Sequence, residues 1–147
     1  MLSDRLYPPN IAGTLPSFYT AIAGAATLVV PFSMNTAVSA LAVKGLRVRI
    51  KETATDTTLA QIDTDTWGES EGQLSATFNL EKSIVDKLVA GNFYKIQLAY
   101  YNYKTSNNGT NVKNYGYYST TAIIKFTIKP VVGIMGLEEQ VINSINS

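Results

Sequence analysis

At 147 residues the chain has the length of one ordinary domain, and folding it buries roughly two-thirds of its unfolded surface. Charged residues make up 16% of the sequence against a usual figure of about 25%, Thr, Ser and Asn fill the gap, and twelve Lys and Arg against eleven Asp and Glu leave +1 with no basic block to track a phosphate backbone. Nucleic acid is therefore not an expected partner; the lack of cysteine removes disulfides, thiolate zinc sites and a cysteine nucleophile, and the lack of histidine removes the usual general base, metal ligand and triad member.

The opening stretch, with Tyr7-Pro8-Pro9-Asn10 and Leu15-Pro16-Ser17-Phe18, holds three prolines that forbid a helix and favour extended backbone. It reads as an arm over residues 1–26. Residues 20–42 are mildly apolar, but Pro31, Ser33, Asn35 and Thr36 interrupt them, and Arg5 is balanced by Asp4 ahead of Pro8-Pro9 instead of an apolar run. Neither a cleaved signal nor a membrane-spanning segment is expected.

Residues 27–33 form a first strand, which Pro31 assigns to an edge or a bulge; residues 34–44 give no clear pattern. Residues 45–52 give the cleanest strand, because Leu46, Val48 and Ile50 alternate with Arg47, Arg49 and Lys51. Residues 57–63 pair with it across a polar turn, and residues 65–72, with Trp67, read as a loop. In residues 73–79, Leu74, Ala76 and Phe78 alternate with polar neighbours. The period then changes: Ile84, Val85, Leu88 and Val89 share one face of a short connector helix over 80–90, capped by Asn79 and ended by Gly91.

Alternation returns over 93–102, with Tyr94, Ile96, Leu98 and Tyr100 on one face. Residues 105–116 read as a long polar loop with a turn at Asn108-Gly109, and a last strand spans 117–129 up to Pro130. The pattern predicts an all-β antiparallel sandwich of about seven strands over 27–129, an arm before it and a linker or docking tail over 130–147.

Within Leu88-Val89-Ala90-Gly91-Asn92-Phe93-Tyr94-Lys95-Ile96 a Leu, a Gly and a Tyr lead into an alternating strand. This resembles the signature of fibronectin type III domains, members of the immunoglobulin-like sandwiches. The resemblance implies that Tyr94, with Leu88 and Gly91, forms the tyrosine corner, its hydroxyl bonding back to upstream backbone. The chain differs from the family in having Phe32 where an early-strand Trp is common. The proline arm, the abundance of Thr, Asn and Tyr, and Tyr117-Tyr118-Ser119-Thr120 also resemble structural virion proteins of tailed bacteriophages. That likeness implies assembly into a particle, without chemistry.

Asp63, Asp65 and Gly68 match positions one, three and six of a calcium loop, but Trp67 holds position five and Leu74 stands where the bidentate Glu belongs, so a solvated acidic turn is expected. The same carboxylates, close together on a loop, give no sign of a glycosidase cleft. No Ser-x-x-Lys motif or phosphate-cradling loop occurs. Asn108-Gly109-Thr110 fits a glycosylation acceptor, which matters only after export. Arg47, Arg49 and Lys51 read as a solvated face or as an interface to an acidic neighbour.

Tyr100, Tyr101, Tyr103, Tyr115, Tyr117 and Tyr118 flank residues 105–116, and tyrosine suits both protein contacts and sugar stacking. The expected contact residues are Tyr7, Pro8, Pro9, Leu15, Pro16 and Phe18 in the arm, Tyr101, Tyr103, Tyr115 and Tyr117 beside the loop, and Ile134, Met135 and Leu137 in the tail. The sequence predicts a non-enzymatic structural protein without a cofactor, docking to other proteins of the same particle in a homo- or hetero-oligomer. Its expected location is the virion. A carbohydrate-binding module, extracellular or at a cell surface, is the alternative.

Overall fold

Alternating apolar residues need an apolar surface opposite them, and here two antiparallel sheets supply it to each other. The computed structural model describes residues 5–12, 19–20 and 25–127. The first sheet holds β1 (Asn10–Ile11), β2 (Tyr19–Thr20), β3 (Ala26–Ser33), β6 (Trp67–Ser70) and β7 (Gln73–Leu80). Its order is β1-β3-β7-β6, and β2 also pairs with β3. The second holds β4 (Gly45–Glu52), β5 (Thr58–Thr64), β8 (Phe93–Thr105), β9 (Asn111–Tyr115) and β10 (Ala122–Lys125), in the order β10-β8-β4-β5 with β9 also on β8.

Leu28, Val30 and Phe32 of β3 stand opposite Phe78, Ala76 and Leu74 of β7, while Leu46, Val48 and Ile50 of β4 stand opposite Tyr100, Leu98 and Ile96 of β8. All of these except the half-buried Leu74 are fully buried between the sheets. The intervening residues face outward, which is the strand period at work.

Several elements differ from the expectation, each for a local reason. Trp67 lies in β6, not in a loop, and its ring packs 6.1 Å from that of Phe32. The β6–β7 hairpin turns on Glu71 and Gly72, with φ of 52° and 81°, a two-residue turn of the kind that needs positive φ at both centres. Residues 105–116 are no open loop: β8 runs on to Thr105 and β9 returns along it from Asn111 to Tyr115 around a turn closed by the Ser106 N–H to Thr110 carbonyl bond of 2.7 Å. The connector helix shrinks to one turn, α1 (Lys82–Val85). Asn79 does not cap it, because β7 continues to Leu80, which is buried opposite Ala26.

Pro31 lies in an interior strand. Its carbonyl accepts from the Ala12 N–H at 2.9 Å, so its missing donor also faces the arm, just where β1 ends, and the ladder to β7 is left whole. The expected last strand is divided: between β9 and β10 the chain loosens, and Ser119 restores the pairing by donating its N–H to the Leu98 carbonyl and accepting the Leu98 N–H on its Oγ at 3.0 Å. Residues 5–12 and 19–20 of the expected arm belong to the sandwich itself. Leu15, Pro16, Phe18, Ile134, Met135 and Leu137 lie outside the described residues, as does the tail over 130–147.

Candidate interaction surface

The outward residues of β4 are Arg47, Arg49 and Lys51, and the strand register sets what stands beside each. Asp63 of β5 lies across from Arg47, Gln97 of β8 across from Arg49, and Lys95 across from Lys51. Arg47 Nε reaches Asp63 Oδ1 at 2.6 Å and Nη1 reaches Gln61 at 2.7 Å. From β9, Lys113 Nζ meets Asp63 Oδ2 at 2.8 Å, and the Tyr115 hydroxyl donates to the same oxygen while accepting from Arg47 Nη2 at 2.8 Å. At the other end Asp56 bridges Lys51 and Lys95, both at 3.0 Å.

Aromatic rings complete the surface. The Arg47 guanidinium lies 3.9 Å from the Tyr115 ring centre, Arg49 lies 3.8 Å from Tyr118, Lys113 Nζ lies 4.7 Å from Tyr101 and Arg5 lies 4.0 Å from Tyr117. A cation over a ring contributes about 0.5–1 kcal/mol at exposed sites. Arg5 also donates to the Gly116 carbonyl at 3.0 Å, and the Leu6 carbonyl accepts from the Tyr117 N–H at 2.9 Å. A Cβ on Gly116 would collide with that Leu6 carbonyl, so the glycine admits the arm.

Of the expected contact residues, Tyr7, Tyr103 and Tyr117 are exposed and Pro8 and Tyr115 half-buried. Two are corrected. Tyr101 is only 3% exposed, because its ring lies over Gly45, where a Cβ would collide with it, and Pro9 is buried as the chain enters β1. The structure brings Leu88, Gly91 and Tyr94 together at the far end of the sandwich. The Tyr94 hydroxyl accepts from the Val89 N–H at 2.7 Å, Leu88 is buried, and Gly91, at φ 92°, donates its N–H to the Phe126 carbonyl at 2.8 Å.

No protein-family model matches the sequence, and no curated protein matches it. Among the described residues no helix is long and apolar enough to cross a membrane, and no group of three His, Cys, Asp or Glu side chains could hold a metal ion. Asp63, first position of the calcium-loop pattern, is instead held by Arg47, Lys113 and Tyr115. Sequence reasoning missed Asp63, Gln61, Gln97 and Lys113 as parts of this surface; the available signal was that a hairpin joins Asp63 and Gln61 to the β4 cations.

Burial disfavours the Asp63 carboxylate, but hydrogen bonds from Arg47, Lys113 and Tyr115 outweigh it and hold its pKa below the ordinary value. Burial first, and then the bond to Asp63, push the Tyr115 hydroxyl up to about 12. Asp63 thus stabilises the fold above its unfolded pKa of about 3.9, and that contribution disappears as pH falls through the lower folded value. Tyr115 contributes below its unfolded pKa of about 10, and its part is lost as pH rises towards about 12. Urea midpoints should be flat near neutrality and fall at both extremes. In Asp63→Asn the Tyr115 tyrosinate absorbance should appear at lower pH than in the parent. An unchanged tyrosinate titration would show that the Asp63 contact is not made in solution.

Proposed function

We propose that the chain is an immunoglobulin-like sandwich of fibronectin type III kind that serves as a non-enzymatic structural subunit of a larger particle, a tailed-phage virion. The strand orders β1-β3-β7-β6 and β10-β8-β4-β5 read as A-B-E-D and G-F-C-C′ of that architecture. The Tyr94 hydroxyl bond to the Val89 backbone, at the start of the strand in the F position, supports the same reading.

The path of the chain through the sandwich supports the structural role. The chain enters at Arg5 and Leu6 beside Tyr115–Tyr117 and leaves at Phe126 and Thr127 beside Gly91 and Asn92. These are opposite poles, separated by the run of β8 from Phe93 to Tyr101, about 26 Å at about 3.3 Å per residue. A sandwich entered at one pole and left at the other suits a spacer held between two neighbours. The sandwich then sets distance, and the flanking segments dock.

Sugar binding through the tyrosines is the weaker reading, because Tyr101, Tyr115, Tyr117 and Tyr118 each already carry a cation against one ring face. Imaging of the assembled particle tests the structural role. The sandwich should occupy a fixed position in every particle, and its absence from purified particles would overturn the proposal.

A further inference from the structure

Charge is segregated over this nearly neutral molecule. The outer face of the second sheet and its β4–β5 turn carry Arg47, Arg49, Lys51, Lys95, Lys113 and Lys125 against three carboxylates, Glu52, Asp56 and Asp63. Asp56 and Asp63 are each shared between two cations, and the six cations exceed the three carboxylates by three charges. Among the described residues Arg49 is held by Gln97 and the Tyr118 ring, and Lys125 lies 5.8 Å from the Phe93 ring. Neither has a carboxylate partner among the described residues.

The opposite sign gathers elsewhere. Glu69 and Glu71, on the edge strand β6 and its hairpin turn, are exposed and make no ion pair among the described residues. The outward positions of β3 and β7 between them and the arm are uncharged: Thr27, Val29, Ser33, Ser75, Thr77 and Asn79. One surface is cationic with unmatched charge, and a different surface is acidic with unmatched charge.

We propose that the occupant of the cationic face is the acidic β6 edge of a second copy of this chain. This inference rests on the assembly reading and names the partner. Because the two surfaces differ, the contact is heterologous: each copy that docks leaves another face and another edge open, so the contact propagates into a row or closes into a ring. Opposed surface charge steers such encounters and fixes register more than it adds affinity, which suits an interaction that becomes productive at the high local concentration of a growing assembly. It weakens with salt, since the screening length falls from about 30 Å at about 0.01 M to about 8 Å at about 0.15 M.

Charge swapping tests this with the whole chain. Sedimentation velocity of the wild type should show reversible association at low salt, weakened on the order of tenfold at physiological salt. Arg49→Glu with Lys125→Glu reverses part of the face, and Glu69→Lys with Glu71→Lys reverses the edge; each double variant alone should remain monomeric, with a circular dichroism spectrum like the parent's. Mixed together they should associate, because each supplies the charge the other lacks. A wild type that stays monomeric at low salt, or folded variants that fail to associate when mixed, would overturn the inference. If such a chain is nevertheless found in purified particles, the structural role stands and its neighbour is another protein.

Discussion

Phe78→Ala should destabilise the protein by about 3–5 kcal/mol, a large share of the roughly 5–15 kcal/mol that holds a domain folded. Phe78 is fully buried, stands directly across from Leu28 on the neighbouring strand and faces the side chains of the second sheet. Truncation removes its transfer energy and leaves a cavity that two rigid sheets cannot close. Phe93→Ala provides the internal control. Its ring is 54% exposed on the outer face, so the change should stay within about 0.5 kcal/mol. Urea unfolding of the two variants would measure the contrast, and equal effects would mean that the inward and outward faces are wrongly assigned.

The second large effect is expected at Tyr94→Phe, at about 1–3 kcal/mol. The ring remains in place, so packing is unchanged, but the Val89 N–H loses the acceptor that holds it at 2.7 Å. An orphaned, partly buried donor costs more than the net worth of an ordinary hydrogen bond. The bond fixes the chain where it crosses from the first sheet, through α1, into the second, so its loss should also speed local opening of that crossing. Thermal unfolding should move down by several degrees. Tyr103→Phe, at an exposed ring, should leave it unchanged. A Tyr94→Phe midpoint equal to the parent's would remove the corner from the account.

The strands with a full apolar face were legible in the sequence, because nothing else explains alternation as regular as Leu46, Val48, Ile50 or Tyr94, Ile96, Leu98, Tyr100. The two sheets follow from those runs. What escaped was structure whose stabilising partner lies far off in the chain. In β6 Trp67 reaches the core, and its turn uses Glu71-Gly72 instead of the Asn-Gly or Asp-Gly pairs that announce such a hairpin. The ribbon of β8 and β9 extends past the core, so no buried face marks residues 111–115. The dipeptide strands β1 and β2 are too short to show any period.

The outer face was half legible. Arg47, Arg49 and Lys51 stood out at once as the polar side of a strand, but their partners depend on register. A bulge between Ile50 and Lys51 shifts the β4–β5 pairing by one residue and brings Asp63 opposite Arg47. Nothing in residues 53–57 announces that shift, and a one-residue slip would turn Asp63 to the other face. The acidic turn therefore looked like an independent feature, whereas Asp63 belongs to the cationic face and Glu69 and Glu71 to the β6 edge of the first sheet.

The proposed role stands or falls on where this chain is found. A reconstruction of the intact particle tests it most directly. The account predicts density for a two-sheet sandwich at a defined site, touching one neighbour at the Arg5 pole and another at the Thr127 pole. Particles that lack the chain, or a sandwich tethered at a single pole with its other end bare, would contradict it.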